Sequence, residues 1–176
     1  HPSQPIVVAT LKGFLTSALG EKINYVNAAL EAKARGIHIL EVKDESSRDF
    51  AVGSLQISTR GDIGGHIVTG TVFVDGDLRI TSIDEFPVNV SPSRHMLFTR
   101  HRDMPGIIGE LGSRLGKHNV NIASMQVGRR IVRGEAVMVL SIDDPIPPQL
   151  LTSILDVKGI NQALADTIYR SLRGEH

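Results

Sequence analysis

From about residue 95 to the end of the chain, β-rich and helical segments follow one another in the order strand, helix, strand, strand, helix, strand. Few architectures accept that order, and the split βαβ, or ferredoxin-like, sheet with two helices on one face is the compact one. Met96-Leu97-Phe98-Thr99 reads as the first strand. A helix over 105–117 follows, with Pro105 at the first helical position, where its missing N–H costs nothing. Ile107, Ile108, Leu111 and Leu115 form its apolar stripe. Gly109, Gly112 and Gly116 lie beside that stripe and cost roughly 1 kcal/mol each relative to alanine, so they predict close packing on a sheet or on another chain. Residues 121–127 and 135–142 read as strands joined by a turn that carries Arg129, Arg130 and Arg133. Pro147-Pro148 opens a short helix ending near Leu155, and 159–169 reads as the last strand.

The first half has a different pattern. Leu11, Phe14, Leu15, Ala18 and Leu19 share a helical face over 9–19, and a second helix is predicted over 23–34 with Gly36 as its stop. Residues 37–42, 50–58, 66–74 and 78–83 read as strands, with Asp75-Gly76 as a hairpin turn. Pro87, Pro92, Asn89, Ser91 and Ser93 mark 84–94 as a link between domains. The expected fold class is α+β: a helix-plus-antiparallel-sheet domain over 1–90, then a ferredoxin-like βαββαβ domain over 94–176.

Composition narrows the function. Nineteen basic residues balance nineteen acidic ones, and five Phe, two Tyr and no Trp leave no base-stacking platform, so nucleic acid is not an expected partner. The absence of cysteine removes disulfides, thiolate metal sites and cysteine nucleophiles. No apolar run approaches the ~20 residues needed to span a bilayer. The expected setting is soluble, in the cytoplasm or the stroma of a plastid.

The segment His101 to Ile108 is where binding chemistry concentrates. It reads as a polar loop leading into a helix. Asp103 and His101 stand beside the backbone N–H groups of Ile107 and Ile108 at the opening made by Pro105 and Gly106. A carboxylate accepts from an ammonium group, and a helix N-terminus holds a carboxylate, so together they suit a free amino acid. Asp103 as a plain helix cap and Asn121 as a turn residue are the competing structural readings.

With those residues in place, the second half resembles an ACT domain, through Asp103-Met104-Pro105-Gly106-Ile107-Ile108 and Asn119-Val120-Asn121-Ile122. The first half, through Asn24-Tyr25-Val26-Asn27-Ala28 and Ala32-Lys33-Ala34-Arg35-Gly36-Ile37, resembles the allosteric substrate-binding, or intervening, domain of long-form D-3-phosphoglycerate dehydrogenases. That family usually has Pro at the position of Ala29. Its domain also opens with a strand that nothing before His1 supplies, so the first domain is expected to be incomplete at its N-terminus. The resemblance implies a regulatory segment whose ligand is L-serine or another small amino acid, bound where two ACT domains meet. It places His101 and Asp103 on one chain and the position of Asn121 on the partner. It further implies catalytic domains N-terminal to this chain, with NAD as their cofactor. The intervening domain's association with anions makes Asn24, Asn27, Lys33, Arg60, Arg79 and Arg94 candidates for holding a phosphate-bearing metabolite. The ordinary solvated-surface reading stands beside that one. A regulatory module of an iron–sulfur L-serine dehydratase, or an ACT dimerisation module without ligand response, are the alternatives.

Nothing in the sequence supplies catalysis. No Gly-rich phosphate loop with its strand and downstream acid is present, and Gly61-Asp62-Ile63-Gly64-Gly65 resembles one only in glycine content. His38 and His66 lack a nucleophile or a second ligand at metal spacing, so no metal or catalytic residue is assigned.

Overall fold

The computed structural model describes residues 3–42, 53–62 and 64–166. The predicted strand residues 50–52 and 167–169 lie outside them. The chain divides into two compact units, one built mainly from residues 1–48 and the other from residues 49–172.

In the first unit, helix α1 (Gln4–Leu19) starts five residues earlier than its apolar spacing predicts, with Pro5 in its first turn. A single 3₁₀ turn (Gly20–Lys22) follows it, and helix α2 (Ala28–Ala34) is shorter than expected. The reason is local. Asn24 Oδ1 accepts the N–H groups of Val26 at 2.9 Å and Asn27 at 3.0 Å, while Asn27 Oδ1 accepts the Asn24 N–H at 2.8 Å. Side-chain amides that bond the backbone this way hold it in a turn and compete with helix formation. Beyond Ala34 the N–H of Ile37 returns to the Ala32 carbonyl and that of Gly36 to the Lys33 carbonyl, a Schellman ending. Leu11, Leu15, Ile23, Ala28 and Ala32 form the small core of this unit. The predicted strand over 37–42 does not form; these residues are irregular, and Leu40 and Val42 are exposed.

The second unit holds two four-stranded antiparallel sheets. Strands β1 (Gly53–Ser58), β2 (Ile67–Val72), β3 (Leu78–Ile83) and β4 (Phe86–Val90) form a meander in chain order. The segment predicted as a link is therefore a strand. Phe86, Val88 and Val90 are buried, whereas Pro87 and Asn89 are exposed, the period of two that a half-buried strand requires. Pro87 is tolerated because β4 is the edge strand of its sheet.

The second sheet comprises β5 (His95–Arg102), β6 (Ile122–Arg129), β7 (Glu135–Ile142) and β8 (Ile160–Asp166), in the order β6-β7-β5-β8, with helices α3 (Ile107–Lys117) and α4 (Pro148–Leu155) in the crossovers. This is the ferredoxin-like order expected from the sequence. Leu97, Met138, Leu140 and Ile142 pack with Ile107, Leu111, Leu115, Leu150 and Ile154 of the helices. The opposite face is covered too: Met96, Val137 and Val139 pack with Phe86, Val88 and Val90. Coverage on both faces explains why seven consecutive residues of β7, Ala136 to Ile142, are buried. Among the described residues, no helix is long and apolar enough to cross a membrane.

Candidate functional site

The geometry begins where β5 ends. His101 does not stand in a loop, as predicted, but inside β5, opposite Ala136 on one side and Ile160 on the other. Paired on both edges, the strand runs three residues past its predicted end at Thr99. Leu97, Thr99 and His101 share its helix-side face, and only 2% of His101 is exposed. Its Nδ1 lies 3.5 Å from Thr99 Oγ1. Burial lowers the imidazole pKa, with the negative charge of Asp103 and a bond involving Thr99 opposing that shift. The ring is thus neutral near neutral pH.

The sign of the resulting pH effect follows directly. Between the lowered folded value and about 6.5, the unfolded chain binds a proton that the folded chain does not. Stability is complete above about pH 6.5 and falls as the pH drops toward the folded pKa. Urea midpoints at pH 5 and pH 7.5 are expected to differ more for the wild-type chain than for His101→Gln. An equal difference in the two proteins would remove His101 as the cause.

Asp103 follows the end of β5. Its Oδ2 accepts the Arg133 N–H at 3.1 Å and Arg129 Nη1 at 3.0 Å, and its own N–H donates to the Gly134 carbonyl at 2.8 Å. The Arg133 N–H first, then the Arg129 guanidinium, hold its carboxyl below the usual carboxylate range. The residue therefore ties down the β6–β7 loop, and its carboxylate does not cap α3.

Helix α3 itself starts at Ile107, two residues later than predicted. Gly106 is the N-cap, in the left-handed region at φ 98°, and Pro105 lies before the helix in the preceding turn. A residue with a Cβ is strained at that φ, which is why glycine stands there. The first helical bond runs from the Glu110 N–H to the Gly106 carbonyl at 2.9 Å, and no side chain caps the start. The N–H groups of Ile107 and Ile108 have no acceptor within the helix, as at any helix start. Ile107 is buried and Ile108 is exposed. Met104, Pro105, Gly106, Ile107, Glu110, Arg114, Val157 and Lys158 line an open hollow of about 380 Å³ at this end of α3, within the size range of small-ligand sites. Two of its charged groups are already engaged: Arg114 Nε bonds Glu110 Oε1 at 2.8 Å, and its Nη1 donates to the Ser153 carbonyl.

Asn121 is not brought to this place within one chain. It follows the far end of α3, where the Val120 N–H returns to Leu115 and the Asn119 N–H to Gly116. Eleven helical residues separate the two ends by about 16 Å. Asn121 Nδ2 donates to Asp143 Oδ2 at 2.6 Å.

The anion candidates are divided between the two units. Asn24, Asn27 and Lys33 belong to the first unit, and Arg60, Arg79 and Arg94 to the second. Asn24 and Asn27 spend their amides on the turn before α2. Arg79 pairs with Asp77, through Nε at 2.7 Å. Lys33, Arg60 and Arg94 are exposed. Among the described residues, no group of three or more His, Asp or Glu is placed to hold a metal ion.

The sequence reading missed Arg129 and the Arg133 N–H as partners of Asp103. Three arginines within five residues of a turn were the available signal.

Comparison with known proteins gives this geometry a family. Residues 1–84 match the family model described as D-3-phosphoglycerate dehydrogenase intervening domain, and residues 95–159 match the ACT domain. The D-3-phosphoglycerate dehydrogenase of Synechocystis sp. is 60% identical over 161 residues, which cover 92% of this chain and 29% of that protein. The chain matches a C-terminal segment of D-3-phosphoglycerate dehydrogenases. The Bacillus subtilis D-3-phosphoglycerate dehydrogenase is 36% identical over 155 residues, 88% of this chain and 29% of the relative. The chain thus spans under a third of the length of these relatives. A third protein, from Bacillus subtilis and named "Probable L-serine dehydratase, beta chain", is 25% identical over 131 residues, 74% of this chain and 59% of the relative. The ACT match spans β5–β7 with α3 and α4, and the intervening-domain match spans the two N-terminal helices and β1–β3. The family boundary and the compact-unit boundary fall at different places, since β1–β4 cluster with the ACT sheet.

Proposed function

We propose that this chain is the regulatory segment of a D-3-phosphoglycerate dehydrogenase, binding L-serine where two ACT domains meet and feeding the level of that product back onto catalytic domains carried elsewhere in the parent protein. The observation that carries this reading is a start of α3 that no side chain caps, with a carboxylate, Asp103, three residues before its N-cap Gly106. A free amino acid offers one ammonium and one carboxylate, and this end of the ACT domain offers a partner for each. NAD belongs to the catalytic part of the parent, and the segments 1–90 and 94–176 are its two domains. The cytoplasm or plastid stroma is its compartment.

A second copy of the chain supplies what one copy lacks. Strand β6 is an edge of the ACT sheet, with Met125 and Val127 exposed along it. A Cβ added at Gly109, Gly112 or Gly116 would meet nothing within 4 Å, so the helix does not need those glycines for packing inside its own chain. An edge strand beside a helix face of small residues suits close approach of a partner, which would bring its Asn121 to the Asp103 of the first copy.

Titration calorimetry with L-serine is the test, on the wild-type chain and on Gly112→Leu. Saturable binding to a wild-type dimer is expected, together with a folded, monomeric and non-binding variant. Absence of binding at millimolar serine by a dimeric wild-type sample would sink the reading. The dehydratase-like relative keeps a second reading in view, in which the same module serves an L-serine dehydratase. A dinucleotide-binding fingerprint in the parent sequence decides for the dehydrogenase, and a cluster-binding cysteine set decides for the dehydratase.

A further inference from the structure

The loop joining β6 to β7 touches two distant parts of the second unit at once. On one side Asp103 holds it, through Arg129 Nη1 at 3.0 Å and the Arg133 N–H at 3.1 Å. Arg133 sits at φ 62°, a conformation that a β-carbon disfavours and that needs an external hold. On the other side Arg130 Nη1 reaches Glu85 Oε2 at 3.0 Å, in the turn between β3 and β4.

That turn is itself unusual. Ile83 pairs with Phe86, so Asp84 and Glu85 form a two-residue hairpin loop, with φ of 48° and 65°. Turns with two positive φ values normally carry Asn-Gly or Gly-Gly. Here long-range bonds hold the conformation: Asp84 Oδ1 accepts the Ile67 N–H at 2.9 Å, and Oδ2 lies 2.9 Å from His66 Nδ1. Between the two loops, the strands lie backbone against backbone. A Cβ built on Gly128 would fall 2.3 Å from the Pro87 carbonyl oxygen and 3.0 Å from Val88 Cγ1. This contact packs β4 tightly on β6 at Gly128, whereas the exposed Arg130–Glu85 pair can open and close cheaply.

We propose that the β6–β7 loop is a coupling arm, which reads the state of Asp103 and passes it through the Arg130–Glu85 pair to the β3–β4 turn of the intervening-domain sheet. The Gly128–Pro87 contact is the fixed point and the ion pair is the moving link. A ligand ammonium at Asp103 competes with Arg129 for the same carboxylate. Weakening that hold frees the loop, and Arg130 carries the change to Glu85. Only the identity of the trigger rests on the L-serine reading.

Amide hydrogen exchange on the whole chain tests the coupling without needing the ligand. Asp103→Asn, with no serine present, removes the charge that holds Arg129. It is expected to raise exchange by about two- to fivefold in residues 129–134 and also in 84–88. In the Glu85→Gln background the same substitution should raise exchange in 129–134 only. A change confined to 129–134 with Glu85 intact overturns the proposal, and so does an unchanged response of 84–88 when Glu85 is Gln. Adding L-serine to the wild-type chain forms a separate arm. If it shifts nothing while Asp103→Asn shifts both segments, the coupling stands and the serine reading falls.

Discussion

Phe86→Ala is expected to cost about 3–5 kcal/mol of unfolding free energy, the range for emptying a buried aromatic site. Phe86 is 4% exposed and packs among Val88, Val90, Met96, Val137 and Val139, on the ACT-sheet face opposite the helices. One face of its ring also lies 5.7 Å from the Arg100 guanidinium, which Glu135 holds through Arg100 Nη2 at 2.6 Å. Truncation therefore removes the side chain that joins two sheets, not one that caps a loop. Urea unfolding followed by circular dichroism reads the effect directly, with Asn89→Ala as the control on the exposed side of the same strand. The control is expected within ~0.5 kcal/mol of the wild type. If residues 84–94 were a tether between independent domains, Phe86→Ala would cost under about 1 kcal/mol, and that result would undo the two-sheet packing described here.

The same residues show where the sequence was legible. Phe86-Pro87-Val88-Asn89-Val90 alternates as plainly as any strand in the chain, but two prolines and the small polar residues around it outweigh the alternation in a local reading. What admits Pro87 is that β4 pairs on one side only, a fact of sheet order that no window of residues contains. His101 is a similar case. Leu97, Thr99 and His101 keep the period of two, so the inward face of β5 was visible. Two flanking partners carry the strand on to Arg102, and they come from segments roughly 35 and 60 residues away. By contrast, the helices of the ACT domain and the order of its strands followed from apolar spacing and turn residues alone. The Asp84–Glu85 turn was not legible at all, because its positive φ values are held by His66 and Ile67 rather than by turn-forming residue types. Asn24 and Asn27 carried the opposite ambiguity. Their residue type fits anion contact and backbone capping equally, and their hydrogen bonds go to the backbone.

Asp103→Ala is expected to weaken L-serine binding by at least about tenfold, since it removes a charged acceptor for the ligand ammonium. The residue also holds the β6–β7 loop, so loss of affinity alone does not separate contact with the ligand from misplacement of the loop. Asp103→Asn and Arg129→Ala make that separation. Asn keeps an oxygen able to accept the Arg133 N–H, but it carries no charge for an ammonium. Arg129→Ala frees the Asp103 carboxylate from its resident cation while leaving its charge in place. If Asp103 meets the ligand, Asn should bind nearly as poorly as Ala, and Arg129→Ala should bind serine at least as tightly as the wild type, because a competitor has gone. If Asp103 acts only by holding the loop, Asn should lose affinity in part, as the hold on Arg129 weakens, and Arg129→Ala, which breaks the same bond, should lose it too. Calorimetry on the four proteins at one pH above 5, where the depressed carboxyl stays ionised, distinguishes these patterns. A wild-type-like affinity in Asp103→Ala would move the site away from the start of α3 altogether.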